Sequence, residues 1–279
     1  MTTEHPPAGD TADGHAEPVE PRPAATVVLL REGAAPPGAA SGGIEVYLLR
    51  RARTMPFAPG AYAFPGGRVD PRDADHGVRW AGPSPGDWAA VLGAAEPLAR
   101  SLVCAAVRET FEESGVLLAG ASAAEVVADT RGDDWEADRT ALIDRSLSFS
   151  DFLDRRGLVL RSDLLKAWSH WITPRGEPRR FDTRFFVAVL PVGQQTRDVG
   201  GEADRVVWMR PADAVAGWRD GSLPMLPPTS TTCRELAGFA APDAAMAARR
   251  TIAPILPELR RVGGRTRIVV PGDTGCPPP

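Results

Sequence analysis

The chain has 279 residues, 24% charged and 43% hydrophobic, with a formal net charge of -4. That is enough chain for a sizeable core in one large domain or two small ones, and the acidic balance excludes nucleic-acid binding through a broad basic face. No apolar run approaches the roughly 18 residues of a membrane span, and the N-terminus lacks the basic start and apolar centre of a secretory signal. Cys104, Cys233 and Cys276 are too far apart for a metal motif or a disulfide framework and fit a reducing, cytoplasmic setting.

Residues 1–23 are Pro, Gly, Ala and acid with little to bury, and are expected to be disordered. ATVVLL and IEVYLLR read as strands joined by the Gly/Pro/Ser stretch EGAAPPGAASGG, and AYAF before PGG as a further short strand. DWAAVLG and PLARSLVCAAVRETFEES have helical spacing; the second carries Pro97 in its first turn and stops at Gly115, a natural left-handed C-cap. Cys104, in its apolar stretch, reads as a small buried hydrophobe. From Ala119 to about Lys166 the pattern is helical and polar on one side, an inserted segment of about 119–166. AWSHWIT, TRFFVAVL and RVVWMR return to strand character. PADAVAGW reads as a helix opened by proline, STTCRELAGF as a helix with a Ser/Thr cap, and residues 242–279 as an extension with a disordered end. The fold class is α/β, with one mixed sheet between helices over residues 24–241.

Turned by about 100° per residue, the helix 98–114 puts Val103, Val107 and Phe111 on one stripe and Glu109, Glu112 and Glu113 on another. Acids in the last turn oppose the helix dipole by roughly 0.3–1 kcal/mol each and repel one another, so a compensating charge is expected from outside the helix. A hard divalent cation such as Mg²⁺ takes such oxygen ligands together with substrate phosphates. Upstream, AFPGGRVDPRD places Gly66 and Gly67 behind Phe64 and Pro65, where backbone can approach a ligand closely. A solvated acidic face is the plain alternative for such a run of acids.

These residues resemble the box of the Nudix hydrolases, G-x5-E-x7-R-E-U-x-E-E-x-G-U, where U is a bulky apolar residue. Gly67 matches the first glycine, Asp73 stands at the first Glu, and Arg108, Glu109, Glu112, Glu113, Gly115 and Val116 match the rest. Thr110 replaces an apolar residue, and a stretch of about 74–97 is inserted. Counting back from Arg108 puts Arg100 at the first-Glu position, so both readings stay open. The insertion is expected as a loop of modest entropic cost, whose deletion over 75–95 would change substrate choice more than folding.

The resemblance implies a Nudix α/β/α sandwich, with Mg²⁺ or Mn²⁺ held by Glu109, Glu112, Glu113 and the carbonyl of Gly67, and with Arg108 pinning helix to loop. It implies hydrolysis of a nucleoside diphosphate linked to another moiety. Glu109 is the first candidate for general base and Glu202, ahead of a late strand, the second; Glu113 and Arg108 complete the catalytic candidates. The partner implied is a small nucleotide substrate, with no nucleic acid and no membrane; a homodimer is compatible with the reading.

FAPGAYAFPGG, the later WITP and RRFDTRFFVA, and LPPT resemble the acyl-CoA diphosphatase branch over residues 24–240. The signature of coenzyme A-cleaving members, aligned on Phe64 to Gly67, brings Arg51, Ala52 and Gly60 into register, with Pro56 where an Arg is usual. Coenzyme A carries a 3'-phosphate besides its diphosphate, and Arg51, Arg53, Arg179, Arg180 and Arg184 offer planar forks for phosphate. Phe64, Trp168 and Trp171 offer faces for adenine, against an ordinary core role, and His170 reads as structural. Arg51, Phe64, Gly66 and Arg184 are the substrate-binding candidates. The alternatives are an ADP-ribose, NADH or NDP-sugar diphosphatase, and a non-catalytic Nudix-fold nucleotide sensor.

Overall fold

A computed structural model describes residues 19–34, 42–55, 58–197, 203–262 and 265–271. The expected disorder of residues 1–18 and of the final residues, and the positions of Pro56, Glu202 and Cys276, lie outside the described residues.

In chain order the elements are β1 (Arg22–Glu32), β2 (Ile44–Arg51), β3 (Tyr62–Ala63), β4 (Gly66–Arg68), a 3-10 turn (Pro71–Ala74), β5 (Trp80–Ala81), α1 (Pro85–Leu92) and α2 (Glu96–Ser114). Then come β6 (Ala119–Gly120), α3 (Asp133–Ile143), α4 (Phe149–Arg155), β7 (Val159–Arg161), β8 (Lys166–Ile172), β9 (Phe181–Val189) and β10 (Ala203–Met209). The chain ends with α5 (Pro211–Arg219), α6 (Pro227–Leu236), α7 (Pro242–Ala247), β11 (Pro254–Ile255), β12 (Glu258–Val262) and β13 (Arg265–Val269).

The main sheet has the order β10, β2, β1, β9, β8, β11, with β3 added to β2 and β4 to β1. It is mixed, β1 running parallel to β9 and antiparallel to β2 and β4. Because successive side chains point to opposite faces, β1 builds two cores. Ala25, Val27 and Leu29 pack with Val103 and Val107 of α2, while Val28 and Leu30 pack with Val215, Cys233 and Leu236 of α5 and α6. A strand buried on both faces reads as a continuous apolar run, which is why ATVVLL carries no alternation. The arrangement is the expected α/β sandwich, with α2 on one face and α5 and α6 on the other.

α2 ends at Gly115, whose φ of 74° is left-handed and whose N–H donates to the Phe111 carbonyl. Phe111 lies on the apolar stripe with Val103 and Val107, all fully buried, and stacks on Phe152 of α4 with ring centroids 5.2 Å apart. Cys104 is buried on the same helix, and burial pushes its thiol up to about 12.

Three expectations differ. The insertion within the box is not a free loop: Ser84 caps α1 with Asp87 in a reciprocal box, and Val78, Trp88 and Leu92 enter the α2-side core. Trp88 meets Phe186 edge-on at 5.6 Å, so burial of apolar surface outweighs loop entropy. α6 begins at Pro227 with Leu226 as its cap and no side-chain cap bond, leaving Ser230 inside the helix; proline fits a first turn where the N–H has no partner to lose. β1 begins at Arg22, whose N–H donates to the Arg180 carbonyl. The C-terminal extension also joins the fold, through Ala245 in the α5–α6 core and β11 parallel to β8. No single helix among the described residues is long and apolar enough to cross a membrane.

Candidate active site

β4 lies antiparallel to the start of β1, pairing Thr26 with Gly66 and Ala25 with Gly67, and so runs under the C-terminal half of α2. The approach is closer than a side chain allows: a Cβ on Gly67 would stand 2.5 Å from the carboxylate of Glu109. Gly66 N–H donates to Glu113 Oε2 at 2.7 Å. Glycine is therefore required at Gly66, where a Cβ would also stand 2.5 Å from the Ala25 carbonyl oxygen, while a Cβ on Gly67 would displace the Glu109 carboxylate.

Arg108 organises the acids. Its Nε and Nη2 donate to the two oxygens of Asp73 at 2.9 Å each, and Nη2 also reaches the Arg68 carbonyl at 3.0 Å. Nη1 donates to Glu109 Oε1 at 2.8 Å and to both oxygens of Glu112 at 3.2 Å. One guanidinium thus faces three carboxylates, those of Asp73, Glu109 and Glu112, in a setting where Asp73 is 1% exposed at its side chain. Burial raises the pKa of Glu109 to about 7, against the pull of Arg108. Burial likewise raises Glu112 and Asp73 above their usual values. Arg108 stays charged, because the bonds to Asp73 and the charges of Glu109 and Glu112 outweigh its own burial.

A family model described as the NUDT19 Nudix domain matches residues 89–236, which include all of α2. The chain belongs to the Nudix hydrolases. It is similar to the acyl-coenzyme A diphosphatase NUDT19 of Gallus gallus, 28% identical over 253 residues, 73% of this chain and 65% of that one. The protein of the same name from Homo sapiens is 29% identical over 267 residues, 78% of this chain and 69% of its own. The crystal structure of a NUDIX hydrolase from Alicyclobacillus acidocaldarius is 30% identical with a TM-score of 0.69, covering 83% of this chain and 98% of that one. The match spans about two thirds of the length of the vertebrate relatives.

In this Nudix fold the competition between Asp73 and Arg100 for one box position is decided by contact. Asp73 meets Arg108, whereas Arg100 donates to the carbonyls of Asp75 and Val78, 3.0 Å each, and lies 5.4 Å from the ring centroid of Trp80. The three box glutamates share one end of α2, but they do not point at a common centre. Glu109 and Glu112 turn to Arg108 and Glu113 to the Gly66 amide, and no metal-holding group of three or more acidic, His or Cys side chains forms among the described residues. The reason is that buried carboxylates take the nearest donors. In chemistry the set still fits a hard divalent cation: oxygen donors only, with two more negative charges than the one guanidinium balances.

Two substrate candidates are overturned. Phe64 is 4% exposed and packs in the α5–α6 core, so it has no face free for adenine. Arg184 is also 4% exposed; its Nη1 contacts Asp182 and His170, and its Nε donates to the Leu92 carbonyl at 3.3 Å. It ties β9 to α1 and is no free phosphate cation. Trp168 is likewise committed, donating Nε1 to Glu235 at 2.8 Å, and Arg180 holds the Thr173 and Val19 carbonyls. Arg51 closes β2 half-buried, its backbone bonded to Gly60 and Ala61.

Sequence reasoning missed Arg139 and Arg197, which approach the last turn of α2 from α3 and from the segment after β9. Arg139 reaches the Glu112 carbonyl across 27 residues; the only local signal was its i,i+3 spacing to Glu136, which says nothing about α2.

Proposed function

We propose that this Nudix protein is a Mg²⁺- or Mn²⁺-dependent hydrolase that cleaves the diphosphate of a nucleoside diphosphate derivative. The substrate of this reading is coenzyme A or an acyl-CoA, cleaved to 3',5'-ADP and the matching 4'-phosphopantetheine. The observation that carries it is the excess of buried carboxylate facing the Gly66–Gly67 strand; similarity to proteins named acyl-coenzyme A diphosphatases supports the substrate.

Glu109, Glu112, Glu113 and the Gly67 carbonyl would hold the cation, which when bound neutralises the diphosphate and lowers the proton cost of activating water. The chain's own residues do the rest. Arg108 fixes the rotamers of Glu109 and Glu112 and keeps the turn after β4 against α2. Glu109, whose carboxylate stands against the Gly66–Gly67 strand, is the first candidate for general base. Glu202 is the second candidate for that proton, and Arg51 the candidate cation for a substrate phosphate.

The test is product analysis with Mg²⁺ and Mn²⁺ over coenzyme A, an acyl-CoA, ADP-ribose, NADH and a sugar nucleotide, with phosphatase coupling and mass spectrometry. Release of 3',5'-ADP from the coenzyme A compounds is the expected result. Preference for ADP-ribose, NADH or the sugar nucleotide would overturn the substrate and leave the diphosphatase; silence across the panel would favour a nucleotide sensor.

A further inference from the structure

The last turn of α2 carries Glu112 and Glu113 but no basic residue, although a helix C-terminus is stabilised by positive charge. That charge comes from two other segments. Arg139 of α3, 4% exposed, donates Nη1 to the Glu112 carbonyl at 2.7 Å. Arg197 donates its backbone N–H to the Ser114 carbonyl at 3.1 Å and Nη1 to the Thr130 carbonyl at 3.0 Å. Thr130 in turn donates its hydroxyl to the Gly115 carbonyl at 2.6 Å. Glu136 links the two arginines, accepting from Arg139 Nε at 2.9 Å and from Arg197 Nη2 at 3.1 Å. The clasp is tight: a Cβ on Gly115 would stand 2.7 Å from the Arg197 guanidinium carbon.

These contacts bind three of the four carbonyls from Glu112 to Gly115, those of Glu112, Ser114 and Gly115, in the turn where helices otherwise fray. Two of the three box glutamates lie in that turn. We infer that Arg139, joined through Glu136 to Arg197, is a positioning residue that sets where Glu112 and Glu113 stand toward a divalent cation and its diphosphate substrate. This rests on the hydrolase reading above and gives the inserted segment a task in it: α3 carries a guanidinium to the end of α2.

The test compares Arg139→Met, Arg139→Lys and Arg156→Ala. Arg156 belongs to the same segment, pairs with Asp138 at 2.6 Å and lies 3.6 Å from the Trp135 ring centroid, so its loss loosens the segment while leaving the Arg139 contact with α2. Three readouts are taken: Mn²⁺ affinity by electron paramagnetic resonance, kcat and KM separately, and amide exchange over residues 112–116. Loss of a charge-assisted hydrogen bond predicts, for Arg139→Met, roughly tenfold weaker Mn²⁺ binding, roughly tenfold lower kcat with KM little changed, and roughly tenfold faster exchange at 112–116. Arg139→Lys should recover part of each, and Arg156→Ala should move none of them.

Wild-type exchange and Mn²⁺ affinity in Arg139→Met would overturn the inference, as would equal losses in Arg156→Ala. A wild-type protein that neither binds Mn²⁺ nor turns over substrate would sink the hydrolase reading instead, and the exchange data would still decide the clasp. Should Arg139→Met fail to fold, Glu136→Gln, which keeps both arginines and weakens their link, is measured in its place with the same expected directions.

Discussion

Arg108 on α2 and Asp73 in the turn after β4 form a two-pronged ion pair, both contacts at 2.9 Å, across 35 residues of sequence. The pair fastens the turn that follows the glycine strand to the helix that bears the acids. Removing Asp73 takes away the acceptor of the buried Arg108 Nε and the link between turn and helix, although Glu109 and Glu112 still balance the charge. Asp73→Ala is therefore expected to lower stability by about 3 kcal/mol, read as a fall in the urea midpoint; an unchanged midpoint would mean that Glu109 and Glu112 alone satisfy Arg108.

Gly67→Ala separates stability from function. The new methyl would meet the end of a flexible side chain, the Glu109 carboxylate at 2.5 Å, which can rotate away, so the melting temperature should hold within about 1 kcal/mol equivalent. Turnover should drop by about a hundredfold or more, because Glu109 can no longer stand against the strand. Full activity in a folded Gly67→Ala protein would remove Glu109 from the active site.

Glu112→Gln and Glu113→Gln keep side-chain volume and replace charge with an amide. Each should reduce turnover at least about a hundredfold and weaken Mn²⁺ binding, since a neutral amide is a poorer ligand for a hard cation. Without metal, Glu112→Gln should be as stable as the parent or more so, because one carboxylate fewer shares Arg108. Unchanged turnover in both variants would dispose of the metal site.

The pH dependence has a definite sign. Glu109 titrates near 7 in the folded chain against an ordinary 4.5, so the folded state's preference for the protonated form is whole below about 4.5 and is lost as pH rises through about 7. In metal-free protein, Glu109→Gln should therefore gain on wild type as pH rises from about 5 to about 8, by on the order of 2 kcal/mol in unfolding free energy. A difference that stays flat with pH would place the Glu109 carboxyl in contact with water.

Trp88 tests whether the box insertion belongs to the core. Trp88→Ala should cost about 3–5 kcal/mol, measured by urea unfolding, and deletion of 75–95 should give insoluble chain. Trp88→Phe should stay close to wild type, because the buried indole N–H has no hydrogen-bond partner among the described residues and its removal relieves an unmet donor. A soluble, folded deletion would return the segment to the role of a dispensable loop.

The elements around the chemistry were legible for local reasons. Gly115 was readable as a C-cap and is left-handed in the structure; the stripe of Val103, Val107 and Phe111 announced its buried face. The stretch from Ser230 suggests a Ser/Thr cap, whereas the two prolines at 227 and 228 already suit a first turn and start α6 earlier. Phe64 and Arg184 were misplaced for a different reason: aromatic and cationic side chains advertise binding chemistry in a sequence, but burial decides whether any surface is left to bind with.

By itself the sequence determined that one helix ends in three glutamates behind a Gly-Gly turn, because helical period and glycine chemistry act over a few residues; that the two glycines pair with β1 as a strand came from the fold. Only the tertiary structure decided how that excess of charge is borne. Asp73, Arg68 and Gly66 come from one side and Arg139 and Arg197 from the other, none of them near in sequence to the residues of α2 that they touch. Pairings of buried charge are settled by which donors folding brings within about 3 Å, and no local pattern in the chain records that distance.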